Sequence, residues 1–334
     1  MTRRARALNG RTYPWTDLDP ERRNALLLYA GIGFVVALAL VLIGYGYYTD
    51  RVAPGHETVL RVGSRAFDLN DLERRAKAEA RQGLSGQSDL SQIIGGALTK
   101  MEREEVLRQT GERRSLSLSE AELDASLRTR LQLTAEATRE QLASRLRGEL
   151  LRLGLSLGEF QAITRADAVE TKLQAQSREA IPAEAEQVDL LLIQVGSQSQ
   201  ALEIRDLLGQ GTTTFAVQAA TKSIHSSRSS AGELGWIPRE ALPKEVAGAA
   251  FALEAGATSD IVEIKQGFFI LQARGKETRA VDDNAKTRVV DQALSASLQE
   301  TRDAAGVTST LTEDQLRRIA AEVAAAASAN SLGG

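Results

Sequence analysis

The run ALLLYAGIGFVVALALVLIGYGYY, residues 25–48, carries no charged side chain across 24 residues. As a helix rising ~1.5 Å per residue it reaches roughly 36 Å, enough for a hydrocarbon core of ~30 Å. A single chain segment in lipid satisfies its own backbone only as a helix, so one membrane-spanning helix is expected here. Tyr45, Tyr47 and Tyr48 stand at its far end, where interfacial aromatics collect. Arg3, Arg4, Arg6, Arg11, Arg22 and Arg23 precede it, and the sparser Arg51, Arg61 and Arg65 follow. That bias predicts a cytoplasmic Arg-rich tail at 1–24, a transmembrane helix at 25–48 and an extracytoplasmic remainder: a single-pass protein of the cell membrane. The run exceeds the apolar core of roughly 7–15 residues found in signal peptides, and no A-x-A follows it. Retention as an anchor is therefore expected.

The remaining composition narrows the chemistry. The 334-residue chain has a net charge of −3 and 4% aromatics. A basic nucleic-acid surface and an aromatic stacking platform for single strands are both disfavoured. No cysteine is present, which removes disulfides, thiol nucleophiles and thiolate metal sites. The two histidines, His56 and His225, are far apart in sequence, so no metal site and no cofactor are expected.

Residues 58–180 read as a helical domain entered through a short strand and turn at VLRVGSR. Asp68 or Asn70 is placed to cap its first helix. Ile94, Leu98 and Met101 share a face, and Ser119 and Glu122 form an S-x-x-E capping box before Leu123, Leu127 and Leu131. Leu142, Leu146, Leu150 and Leu153 make a second stripe that Gly154 ends. Such stripes serve as bundle core or as an apolar groove for unfolded chains, and spacing does not divide the leucines between these uses.

After Pro182 the texture changes. VDLLLIQV at 188–195 reads as a strand, 199–211 and 215–223 as helices, and 244–253 as a third helix; SDIVEIK and GFFILQAR read as two further strands. The order β-α-α-loop-α-β-β predicts a small α+β domain at 185–277. The chain returns to helix at 280–334, with Val290, Leu294 and Leu298 on one face and a Thr312/Gln315 cap. This segment is expected to pack on the 58–180 domain, so that the α+β domain is an insertion.

Taken in order, several motifs of that insertion resemble a parvulin-type peptidyl-prolyl isomerase domain. They are Ala201, Leu208 and Gly211 of the first helix, FAVQA at 215–219, AGELGW at 231–236, FALEAG at 251–256, and SDIV before GFFIL. Less sharply, VLRVGSRAF, LSLSEAELD and LGLSLGEFQ resemble the N-terminal region of the SurA, PrsA and PpiD chaperones. The resemblance implies an α+β chain with an N-terminal transmembrane helix, a SurA-like helical domain, an inserted parvulin-like domain and a helical C-terminal tail. Its implied partners are unfolded or newly translocated polypeptides and the translocation machinery, with no nucleic acid.

The barrier to prolyl rotation, ~18–20 kcal/mol, comes from amide resonance. It falls when the twisted amide is bound better than the planar one. The resemblance implies two histidines, on the first and last strands, and a loop cysteine or aspartate. Here those positions fall at Leu190 or Leu191, at Phe269 and at His225. The proline-binding positions fall at Leu242, Val246 and Phe251, with Leu234 and Phe269 beside them. His225 and Gln266 are the candidate catalytic polar groups, and His225 is alternatively a solvent-exposed loop residue or a polar group lining the cleft. Three readings follow: a foldase or chaperone with weak or lost isomerase activity, an active isomerase using the apolar pocket, and a scaffold for one folded partner.

Overall fold

The structure, a computed structural model, describes the backbone of residues 20–47, 53–83 and 89–331, with side chains described for these except 20–28, 30, 31, 46, 47, 53, 54, 83 and 327–331. Two compact units are distinguished. One holds α1 (Pro20–Tyr47), the turn Ala53–His56 and residues 68–70; the other holds 59–67 and the chain from 71 onward. The anchor expected at 25–48 lies partly outside the described side chains. Those described in α1, among them Phe34, Val35, Leu40, Val41 and Ile43, are exposed. Among the described residues no helix is long and apolar enough to cross a membrane.

The second unit contains a helical lobe built from α2 (Leu69–Gly83) from Asp71 onward, α3 (Leu90–Arg113), α4 (Glu120–Arg130), α5 (Arg139–Leu153) and α6 (Leu157–Glu179). Local chemistry sets the helix starts. Ser119 with Glu122, Thr138 with Gln141 and Ser156 with Glu159 each close a reciprocal capping box, satisfying amides that the first turn leaves open. Gly154, at φ +70°, ends α5 and donates its amide to the Leu150 carbonyl at 2.8 Å. Leu131, Leu153, Leu155, Phe160 and Ile163 form one apolar cluster, against which Leu142, Leu146 and Leu150 pack.

After the sheet domain the chain comes back to this lobe. The long helix α10 (Asp283–Ala305) places Leu294 in a second cluster with Leu107, Ala166, Val169 and Leu173. The buried hydroxyls of Thr110 and Thr301 meet at 2.9 Å across the α3–α10 contact. The strand β7 (Val307–Ser309) then pairs antiparallel with β1 (Thr58–Val62), on whose other side lies β2 (Arg65–Asp68), and α11 (Glu313–Ser331) follows. The sequence reading missed β7, because three residues without alternation carry no strand signal and the pairing partner is distant in sequence.

Between α6 and α10 the chain forms a four-stranded sheet in the order β4-β3-β6-β5: Glu233–Pro238, Glu184–Val195, Gly267–Ala280 and Val262–Ile264. The helices α7 (Gln198–Gly209) and α8 (Phe215–Lys222) cover one face, and α9 (Lys244–Ala252) covers the other. Both central strands exceed the expected lengths, reaching back to Glu184 and on to Ala280. β4 is a correction: the order β-α-α-loop-α-β-β leaves ELGWIP in the loop, because its glycine breaks the strand pattern. Gly232 makes the entry to β4 possible. At φ +87° a Cβ there would stand 2.8 Å from the Ala219 Cβ and 2.9 Å from the Leu192 carbonyl, a conformation and approach open to glycine alone.

Candidate functional site

Side chains on β3 alternate between the two faces. Val188, Leu190 and Leu192 point to the α9 side, while Leu191, Ile193 and Val195 point to the α7–α8 side. Phe269 of β6 lies on the α9 side. Of the two positions left open on β3, only Leu190 therefore shares a face with Phe269. Together with Leu242, Val246 and Phe251 they form one buried cluster, and Leu234 packs at its edge. Leu190 and Val246 are 0% exposed, and Leu242, Phe251 and Phe269 are 7% or less. Where the resemblance implies two imidazoles, this protein has leucine and phenylalanine in a buried hydrocarbon cluster. No proton can be held or moved by those two side chains.

His225 stands outside that cluster. It precedes a 3-10 turn, Ser226–Ser230, whose first amides need acceptors. Its Nδ1 accepts from the Ser227 amide at 3.1 Å and lies 2.8 Å from the Ser227 hydroxyl. Its own amide donates to the buried Ser223 hydroxyl at 3.2 Å. Burial holds the imidazole below its ordinary pKa, and the charge of Arg288 adds to this. A neutral ring that accepts at Nδ1 carries its proton on Nε2. His225 is therefore a capping residue with one donor left over, which is compatible with a hydrogen bond to a peptide carbonyl.

Gln266, in the turn between β5 and β6, is exposed, and its carbonyl accepts from Gln194 Nε2 at 2.8 Å. Gln194 also takes the Ile224 amide on its own carbonyl at 2.8 Å, and its amide donates to Ser223 Oγ at 3.1 Å. Gln194 thus ties the His225 loop and the Gln266 turn to one point on β3. Sequence reasoning missed Gln194, Ser223 and Ser227, since none carries chemistry until the fold brings them together.

The rim is polar. Arg239 Cζ lies 4.2 Å from the Phe251 ring centroid, and Lys276 Nζ donates to the Phe251 carbonyl at 2.9 Å. Arg288, from α10, donates to the Leu234 carbonyl at 2.7 Å. Farther along α10, Asp303 pairs with Lys265 beside the Gln266 turn at 2.5 Å. α10 therefore touches the sheet domain at two separate places, strand β4 and the β5–β6 turn. Trp236 lies under the Arg279 guanidinium at 4.8 Å. Among the described residues no group of three or more His, Asp or Glu side chains is placed to hold a metal ion.

The helical lobe has a different kind of site. A cavity of about 720 Å³ opens between β2, α3 and α6 and is lined by Phe67, Met101, Leu116 and Val169 together with Glu104 and Arg165. Glu104 contacts Arg75, yet its burial outweighs that cation and pushes its pKa up to about 6. The buried Arg75 Nε has no hydrogen-bond partner, and Glu79 Oε1 stands 3.7 Å away.

Residues 194–275 match the family profile "Rotamase: PPIC-type PPIASE domain". No curated protein matches the chain. Among solved structures, the parvulin NmPin of Nitrosopumilus maritimus is similar at 30% identity and a TM-score of 0.26, covering 27% of this chain and 98% of that one. PrsA of Bacillus anthracis, a peptidylprolyl isomerase, is 18% identical with a TM-score of 0.38, covering 69% of this chain and 96% of that one. The foldase protein PrsA of Streptococcus pneumoniae is 17% identical with a TM-score of 0.33, covering 79% and 91% respectively.

Proposed function

Because this chain carries a parvulin, PPIC-type peptidyl-prolyl isomerase domain at residues 194–275, we propose that it is a membrane-anchored, extracytoplasmic foldase or chaperone whose isomerase activity is weak or lost. The observation that carries this reading is the apolar centre of the domain: Leu190 and Phe269, at positions where the resemblance implies imidazoles, stand among Leu242, Val246 and Phe251. A surface of that kind binds a proline ring by burial, at about 25 cal/mol per Å² of apolar area removed from water. It offers little to distinguish a twisted amide from a planar one, because that requires fixed polar groups at the carbonyl. The Nε2–H of His225 is the one such donor this reading retains.

Two further observations support the chaperone role. The cavity of the helical lobe is mixed apolar and ionic, which suits many weak contacts with unrelated chains. The exposed apolar side chains of α1 are costly in water and favourable in lipid. The clients are unfolded or newly translocated polypeptides, met near the translocation machinery. The test is to add a proline-containing unfolded client to the full chain in lipid nanodiscs. Slower client aggregation, with shifts in the Leu242 and Val246 methyl signals, is expected. Unchanged aggregation together with unperturbed methyls would refute the reading and favour a scaffold for one folded partner.

A further inference from the structure

The charged side chains on the wall of the cavity between β2, α3 and α6 balance: Glu104, Glu105 and Glu112 stand against Arg65, Arg108 and Arg165. Arg108 takes two of the carboxylates, Glu105 at 2.5 Å and Glu112. Arg65 lies over the Phe67 ring at 5.4 Å. A wall without net charge favours a neutral occupant, and Phe67, Met101, Leu116, Leu118 and Val169 supply apolar surface for one. At about 720 Å³ the space has the size of a ligand pocket. Its β2 wall belongs to an edge strand of the small sheet, a backbone that an extended chain can pair with. An extended, uncharged apolar segment is the occupant these features fit.

Glu104 differs from the other two wall carboxylates. Glu105 and Glu112 meet Arg108 on their own helix, whereas Glu104 reaches across to Arg75 of α2. The charged groups around it on the packed elements are engaged with one another. Glu79 of α2 holds Lys100 of α3 and stands 3.7 Å from the Arg75 Nε, and Asp167 of α6 holds Arg130 of α4 at 2.7 Å. Arg165 of α6 and Arg65 of β2 share the cavity wall with it. Arg75 therefore keeps a carboxylate beside it when Glu104 becomes neutral. Burial already pushes the Glu104 carboxyl up to about 6. An apolar segment that fills the cavity removes further water from it, and desolvation disfavours the charged form. Occupancy and protonation thus favour each other.

We propose that this cavity takes up an uncharged apolar client segment together with a proton from solvent, which comes to rest on the Glu104 carboxylate. Clients are then held in mildly acidic surroundings and released in neutral ones. The inference rests on the reading of the cavity as a site for client chains. It needs nothing from the sheet domain, and neither histidine of the chain is on the cavity wall.

The experiment uses the full chain in nanodiscs and the capped peptide acetyl-Ala-Phe-Ala-Leu-Ala-Phe-amide, which has neither a titrating group nor a proline. The methionines of the chain are Met1 and Met101, so the Met101 methyl signal reports on the cavity. The peptide is expected to shift that signal and to bind about 10-fold more tightly at pH 5 than at pH 8. Calorimetry near pH 6.5, repeated in buffers of different ionisation enthalpy, should show roughly half a proton taken up per peptide bound. Glu104→Gln should bind with the acidic-form affinity at both pH values and take up no proton. A Met101 shift with equal affinity at the two pH values, a pH dependence that survives Glu104→Gln, or no proton uptake by the unaltered protein would overturn the proposal and leave the client reading standing. A Met101 signal that the peptide moves at neither pH removes the cavity as a client site, and the proposal with it.

Discussion

The sheet domain and the helical lobe treat buried space in opposite ways. In the sheet domain the α9 face is filled by hydrocarbon from both central strands and from α9, and its polar groups stand at the rim. In the helical lobe a carboxylate is kept inside, against Arg75 and on the wall of an open cavity. A filled apolar face gains stability from close packing and gives up proton chemistry. A cavity with a buried ion costs stability, and that cost needs another explanation, such as the binding proposed above. The contrast teaches that the domain whose family implies catalysis has hydrocarbon where imidazoles are expected, whereas the lobe without assigned chemistry holds a buried carboxylate pushed up to about 6.

The contrast is broken most directly at Phe251. Phe251→Ala is expected to cost about 3–5 kcal/mol by leaving a cavity in the α9 face. Hydrogen exchange should then lose protection across β3, β4 and β6 while α3 and α6 keep theirs. Equal loss in both regions would mean that they are one cooperative unit. Gly232→Val should cost about 1–3 kcal/mol from φ strain, with more from the clash with the Leu192 carbonyl, measured as a lower denaturation midpoint.

Glu104 sharpens the other side. Its folded pKa is raised to about 6 from a usual 4.5, so the fold favours the protonated form. The resulting cost is fully present above pH 6 and is relieved as pH falls toward 4.5. Glu104→Gln is expected to stabilise the protein by up to about 2 kcal/mol at pH 8, with the difference vanishing below pH 4.5. A pH-independent difference would contradict the assignment. His225 gives the smallest effect. His225→Ala removes the acceptor for the Ser227 amide and should cost about 0.5–1.5 kcal/mol. Because burial lowers the His225 pKa, the unfolded chain takes the proton first, so its contribution to stability falls as pH drops below the ordinary imidazole range.

What could be read in the sequence was mostly local. The Ser119–Glu122 box and the Gly154 terminus depend on neighbours within a turn, and both stand in the structure where the spacing put them. The leucine stripe at 142–153 packs as a core face for the same reason. β4 and β7 escaped because glycine and brevity erase alternation, and only pairing with distant strands makes them strands. Periodicity could not choose between Leu190 and Leu191; the register of β3 against β6 did. The cationic rim was illegible: Arg239, Lys276 and Arg288 come from a turn, a strand and a helix of the C-terminal segment, and they meet only in the folded protein.

The central claim is that a parvulin domain with an apolar centre binds proline without efficiently turning it. The most direct test is prolyl cis–trans exchange of an Xaa-Pro peptide, measured by NMR exchange spectroscopy in the presence of the full chain. The account predicts peptide-induced shifts at Leu242 and Val246 with exchange near the uncatalysed rate of tens to hundreds of seconds. Exchange accelerated far above that rate, and lost in Leu242→Ala, would contradict it and make this an active isomerase working without the two strand histidines.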